Sequence, residues 1–155
     1  SSVAWIPAFV AYHQLDMSQV EVPASGSFSS FNEFFYRRLK PGSRPICATD
    51  ERTLVSPADC RLHVFPSVSQ ACQLWIKGRG FTVGKLLGDE QLGQFFADGP
   101  VAICRLAPQD YHRFHAPVDG RLVMQYSIDG QYYTVNPMAI RTELDVFGEN
   151  ARTVY

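Results

Sequence analysis

The stretch Ser29–Gly42, SSFNEFFYRRLKPG, separates a helical opening from a remainder with the texture of β-structure. Ser30 and Glu33 stand at capping-box spacing, so each side chain can bond a free backbone N–H at a helix start. Phe31, Phe34, Phe35 and Leu39 recur at helical spacing, and Pro41-Gly42 stops the run. The spacing predicts a helix through this stretch with one apolar face. Arg37, Arg38, Lys40 and Arg44 then cluster at its end. Two readings are open for them: cations that complement the helix dipole, or a surface that meets an anionic lipid or phosphate.

Upstream, Ala4–Tyr12 reads AWIPAFVAY, apolar but short and broken by Pro7, so it cannot span a bilayer. It is expected to pack on a core or to lie at a membrane surface. Downstream, TLVS (53–56), CRLHVF (60–65), QLWIK (73–77) and VAICRL (101–106) are short runs with β-branched or alternating apolar residues, each predicted as a strand. RLVMQYSI-DG-QYYTV (121–135) predicts a hairpin, with Asp129-Gly130 supplying a tight turn. The segment Thr82–Gly99 predicts a short helical excursion with Leu86, Leu87, Leu92, Phe95 and Phe96 on its apolar face. The expected architecture is α+β, with N-terminal helices followed by a mainly antiparallel sheet or barrel-like domain that is incomplete at the C-terminus. Its expected parts are a helical segment over 1–45 and a β-rich catalytic domain over 46–155.

With 155 residues, 46% of them apolar, the chain is long enough to bury a core. A net charge of -1 gives no basic excess for nucleic acid and no acidic block for a disordered tail. Cys47, Cys60, Cys72 and Cys104 form no C-x-x-C pair, and no secretory signal precedes them, so reduced thiols facing a cytosol are expected. The chain opens on Ser-Ser-Val and stops at Arg-Thr-Val-Tyr in an apparent strand, which suggests part of a longer protein.

The residues with the most chemistry lie in DYHRFH (110–115), where His112 and His115 stand three apart. Pro108 disfavours a helix through this run. On a straight strand the two imidazoles would face opposite sides, so they can share a pocket only across a bulge or loop. Asp59, in SPADC (56–60), is either a turn aspartate bonding its own backbone or a carboxylate that orients a histidine. A carboxylate–imidazole pair of the second kind is how a general base is built to activate a hydroxyl. On that reading Asp59 should lie within hydrogen-bond reach of an imidazole.

FNEFFYRRLKPGSRPI (31–46), LVSPADC (54–60), WIKGRGFTVGKLLG (75–88), RLAPQDYHRFHAPVDG (105–120) and QYYTVNPMAI (131–140) occur in this order. Taken together they resemble the phosphatidylserine decarboxylases over nearly the whole chain, most of all the eukaryotic endomembrane branch. The resemblance implies a pyruvoyl-dependent enzyme without metal that converts phosphatidylserine to phosphatidylethanolamine and CO₂ in phospholipid biosynthesis. In that family a serine in a Leu-Gly-Ser stretch attacks the preceding peptide bond and becomes the pyruvoyl cap of a small α subunit. By motif position Asp59 and His115 act on that serine, and His112 serves the decarboxylation step. Tyr111, Arg113, Arg37, Arg38, Lys40 and Arg44 are the expected substrate-binding residues. The expected partners are phosphatidylserine, a membrane surface of the ER, Golgi or vacuole, and the missing α subunit, with a homodimer left open.

Two departures stand out. Cys60 follows the aspartate where many members of the family have glycine. No Leu-Gly-Ser stretch is present, since the Gly-Ser pairs are Gly26-Ser27 in a Ser-rich linker and Gly42-Ser43 at the helix stop. The 155 residues are therefore expected to be inactive alone. Two other classes compete. One is a metal-dependent hydrolase with His112, His115 and Asp59 or His63 as zinc ligands. The other is a non-catalytic lipid-binding fragment held by the basic cluster and the apolar N-terminus.

Overall fold

The structure is a computed structural model and describes residues 2–74, 76, 80–136 and 144–155. By contacts the chain forms two units, Ser1–Leu62 with Cys104–Gly120, and His63–Ile103 with Arg121–Tyr155.

In the first unit an aromatic cluster does most of the packing. A 3-10 turn (Ser2–Trp5) leads into helix α1 (Ile6–His13), where Pro7 sits in the first turn and its missing N–H costs nothing. Phe9 of α1 meets Phe31, Phe34 and Phe35 edge-on, with centroids 5.2, 5.9 and 6.4 Å apart. Phe28 closes on Phe34 from another side at 5.4 Å, and Phe34 is 0% exposed. The N-terminal stretch thus packs through Phe9, while Trp5 and Tyr12 are exposed.

Helix α2 (Phe31–Phe35) begins where the sequence predicts, with the Ser30 hydroxyl accepting the Glu33 N–H at 3.0 Å. The Glu33 carboxylate reaches Ser29, accepting its N–H at 2.6 Å and its hydroxyl at 2.7 Å. The helix ends four residues earlier than the spacing predicts. Arg38–Leu39 form strand β2, antiparallel to β1 (Val20–Glu21), with Val20 opposite Leu39 and Glu21 opposite Arg38. The Lys40 N–H adds a bond to the Gln19 carbonyl at 2.8 Å. This ladder satisfies the backbone that a longer helix would have paired internally. It also scatters the cations, leaving Arg37 buried and Arg38 exposed.

CRLHVF and VAICRL form strands as predicted, β3 (Arg61–Phe65) and β4 (Val101–Arg105), and the two pair with each other. TLVS is not a strand, and its Val55 N–H bonds the Pro117 carbonyl at 3.0 Å. Gln73 and Leu74 of the QLWIK run belong to helix α3 (Val68–Leu74), whose start bonds back to Gly99 and Asp98. Trp75 and Lys77 of that run lie outside the described residues.

The helical excursion is two short helices, α4 (Val83–Leu87) and α5 (Glu90–Phe95), capped by the side chains of Thr82 and Asp89. They meet at glycines: a Cβ on Gly93 would stand 2.4 Å from the Gly84 Cα. Tyr126 and Arg152 donate to the Leu87, Leu86 and Lys85 carbonyls, closing the open end of α4.

The predicted hairpin at Asp129-Gly130 does not form. Strand β5 (Tyr126–Ile128) pairs antiparallel with β6 (Arg152–Val154), beyond the short helix α6 (Val146–Glu149). A tight type I′ turn needs positive φ at both central residues. Among the described residues positive φ occurs only at Gln14, Gly26, Gly42, Gly80 and Gly88. Gly130 serves another need, because a Cβ there would meet the Glu149 carbonyl oxygen at 2.3 Å. The fold is α+β as expected, and none of the two-stranded sheets among the described residues closes into a barrel.

Replacing Phe34 with alanine is expected to lower stability by about 3–5 kcal/mol, as for other buried aromatic truncations. Denaturant unfolding of wild type and variant measures this. A loss under about 1 kcal/mol would mean that the aromatic cluster is not the core of its unit.

Candidate functional site

The histidine run belongs to the first unit and follows a turn closed from both sides. The Ala107 N–H bonds the Asp110 carboxylate at 2.7 Å, and the Asp110 N–H bonds the Ala107 carbonyl at 2.9 Å. DYHRFH then runs as irregular backbone, neither strand nor helix. That removes the strand geometry that would send the two imidazoles to opposite faces.

Irregular backbone needs partners for its polar groups, and the run and the end of α2 each lend the other a guanidinium donor. Arg37 donates from Nη2 to the Gln109 carbonyl at 3.0 Å, and Arg113 donates from Nε to the Tyr36 carbonyl at 2.9 Å. Each guanidinium also lies over a ring on α2 or its cap, Arg37 over Phe34 at 5.2 Å and Arg113 over Tyr36 at 5.7 Å. Phe35 packs its ring on the His112 imidazole with centroids 4.0 Å apart.

The His112 Nδ1 lies 2.8 Å from the Asp110 carbonyl oxygen. A carbonyl can only accept, so Nδ1 carries the proton and the neutral ring keeps its lone pair on Nε2. His112 thus has one nitrogen fixed by the backbone and one open for proton transfer. His115 is exposed, and its Nε2 lies 3.2 Å from the hydroxyl of the buried Tyr111, with the two rings stacked at 5.7 Å.

Two backbone bonds lace the Asp59 corner to this run: His115 N–H to the Pro57 carbonyl at 2.8 Å, and Val55 N–H to the Pro117 carbonyl at 3.0 Å. The expected hydrogen bond between Asp59 and His115 is nevertheless not made. Arg44 holds the Asp59 carboxylate instead, with Nε 2.8 and 2.9 Å from its two oxygens and Nη2 also in contact. A planar guanidinium offers several charge-assisted bonds to one carboxylate, where an imidazole offers one. The pairing pushes the Arg44 pKa up. Burial pulls the Arg37 pKa down, with Asp59 opposing that shift in part.

The remaining expected substrate-binding residues divide by partner. Lys40 donates from Nζ to the Ser18 carbonyl at 2.7 Å, and Arg44 also reaches Gln19 and the Ser43 carbonyl. The Arg38 side chain is exposed and forms no hydrogen bond among the described residues. Sequence reasoning passed over two contributors. Phe35 was absorbed into the apolar face of a helix, although the end of that helix meets His112. Asp110, two residues after Pro108, carries a turn signal that could have marked it.

Among the described residues no group of three or more His, Cys, Asp or Glu side chains could hold a metal ion. No described helix is long and apolar enough to cross a membrane. Nitrogen NMR of the chain with neutral imidazoles is expected to find the His112 proton on Nδ1. A ring protonated at Nε2 would remove the basis for calling that nitrogen the reactive one.

Comparison with known proteins agrees with the motif reading. The family model for phosphatidylserine decarboxylase matches residues 31–155. Phosphatidylserine decarboxylase proenzyme 3 of Schizosaccharomyces pombe is 53% identical over 99% of this chain, which spans 16% of that protein. Proenzyme 2 of Saccharomyces cerevisiae is 47% identical over 99% of the chain and 13% of its own length. The proenzyme of Fusobacterium nucleatum is 41% identical over 95% of the chain and 48% of its own length. The metal-dependent hydrolase alternative finds no support in these matches. The chain belongs to the phosphatidylserine decarboxylase family.

Proposed function

We propose that the protein to which this chain contributes decarboxylates phosphatidylserine to phosphatidylethanolamine and CO₂, with these residues forming part of its β subunit. The observation that carries the reading is the lacing of the Asp59 corner to the histidine run by the His115–Pro57 and Val55–Pro117 bonds. It brings together two segments over fifty residues apart in a chain whose relatives are phosphatidylserine decarboxylase proenzymes.

The cofactor of this reading is a pyruvoyl group, formed from a serine that these 155 residues do not contain. The residues present fit such a group, because His112 Nε2 forms no hydrogen bond among the described residues while Asp110 fixes its other nitrogen. When in place, the pyruvoyl carbonyl supplies the electron sink for loss of CO₂, which no side chain provides. His112 first takes up a proton from water on its Nε2 lone pair, and the imidazolium then delivers that proton to the carbon that loses CO₂. His115 takes the proton of the processing serine hydroxyl, its ring held by Tyr111. Asp59 orients His115 once the serine segment is in place, exchanging Arg44 for the imidazole. Arg38 and its neighbouring cations meet the anionic head group at the membrane surface of the ER, Golgi or vacuole.

This chain alone is expected to release no CO₂ from phosphatidylserine. A longer chain that includes a Leu-Gly-Ser stretch should cleave itself in two and then turn over. In it His115→Ala should block cleavage, whereas His112→Ala should spare cleavage and lower turnover about 10²–10⁴-fold. Gel electrophoresis and CO₂ release read the two steps separately. Normal cleavage by His115→Ala would overturn the base assignment, and CO₂ release from the 155 residues would overturn the cofactor.

A further inference from the structure

Two of the four cysteines come together in the first unit. Cys60 directly precedes β3, and Cys104 is the fourth residue of β4. The two strands pair, and the ends that belong to the first unit are Arg61–Leu62 and Cys104–Arg105. Both thiols are thus brought to the same end of the strand pair, where each is free and half-buried. Burial pushes the Cys104 pKa up, and a side-chain hydrogen bond with Cys60 adds to the shift. A bond of that kind requires the two sulfurs to be neighbours. The other cysteines are placed differently, since Cys72 belongs to the second unit and Cys47 is exposed.

The pair sits between the two segments that form the candidate site. Cys60 follows Asp59 directly, and Cys104 stands three residues before Ala107, whose N–H and carbonyl both bond Asp110 at the start of the histidine run. The His115–Pro57 and Val55–Pro117 bonds already lace these segments through the backbone. A disulfide admits only a narrow range of dihedral angles and Cα separations. Closing one here would fix the backbone at residue 60, next to the carboxylate that Arg44 holds.

We propose that Cys60 and Cys104 are a redox-active pair, which a peroxide closes into a disulfide that locks the Asp59 corner. The Cys60 thiolate attacks one oxygen of hydrogen peroxide, the O–O bond breaks, and the departing hydroxide is protonated to water. The Cys104 sulfur gives up its proton and attacks the resulting sulfenic acid, whose S–O bond breaks with loss of a second water. The two thiols lose two electrons and the peroxide gains them. The first attack falls to Cys60 because burial favours the protonated form of Cys104. A dithiol reductant reverses the bond by thiol–disulfide exchange. The pair rests on the cysteines alone; its effect on self-cleavage rests on the function proposed above, in which Asp59 leaves Arg44 for His115.

The test treats the 155-residue chain with hydrogen peroxide, alkylates the remaining thiols and maps linkages in an unreduced digest by mass spectrometry. The expected product is a peptide pair joined through Cys60 and Cys104, which dithiothreitol separates. Cys60→Ser and Cys104→Ser should each abolish it, and Cys47→Ser should leave it in place. Linkage through Cys47 or Cys72 instead, or sulfinic acid at Cys60 with no linkage, would overturn the pair. In the longer chain, oxidation before cleavage should slow cleavage by about 10²-fold, the low end of what a general base contributes. Dithiothreitol should restore the rate, and Cys60→Ser should cleave alike with and without peroxide. Unslowed cleavage by chains carrying the mapped disulfide would overturn the lock on Asp59 and leave the proposed reaction standing. Absence of cleavage in the reduced chain would count against that reaction, while the mapped disulfide would still establish the pair.

Discussion

The Arg37–Gln109 bond spans 72 residues of sequence, and the Arg113–Tyr36 bond spans 77 in the opposite sense. Between them they fasten the end of α2 to the histidine run. Irregular backbone has no ladder to hold it, so its position depends on donors supplied from elsewhere. Burying a guanidinium is expensive, and the lowered pKa of Arg37 reflects that expense. The cost is offset by a carbonyl partner, by the Phe34 ring beneath the charge and by the carboxylates of Asp59 and Asp110 nearby. Phe34 therefore has two roles, as the fully buried centre of the aromatic cluster and as the surface on which Arg37 rests.

That fastening decides what the imidazoles can do. With Phe35 against one face of His112 and the Asp110 carbonyl on Nδ1, only Nε2 of the ring is without a hydrogen bond among the described residues. His115 is held differently, by its own backbone N–H on Pro57 and by the Tyr111 hydroxyl on its ring. Two histidines three residues apart thus occupy distinct environments, one set by α2 and the other by the Asp59 corner. Such a division suits a protein whose proposed chemistry has two separate proton transfers.

The Arg44–Asp59 pair shows how a local choice depends on what is present. Both side chains are partly exposed, at 43% and 30%. Exposed ion pairs of this kind contribute about 0–1 kcal/mol, so their partners can be exchanged at little expense. Asp59 is two residues past Pro57, whose carbonyl holds the His115 backbone.

Local chemistry in the sequence was sufficient for several features. Ser30 starts α2 because its hydroxyl bonds an N–H three residues ahead, and nothing distant enters that choice. The β-branched and alternating runs at 60–65 and 101–106 become paired strands, and the motifs around Asp59, His112 and His115 identify the family. Sequence could not decide choices between competing long-range partners. The run from Arg37 to Lys40 could have continued the helix, but pairing with Val20–Glu21 satisfies the same backbone. Tyr126–Ile128 had a nearby hairpin partner and took Arg152–Val154 instead, with Gly130 admitting the backbone of Glu149 where a side chain would clash. Asp59 had an imidazole in prospect and took a guanidinium. A cap is settled within one turn of chain, whereas each of these alternatives satisfies nearly the same local groups. Only the packing of distant segments distinguishes them, and that packing exists in the tertiary structure alone.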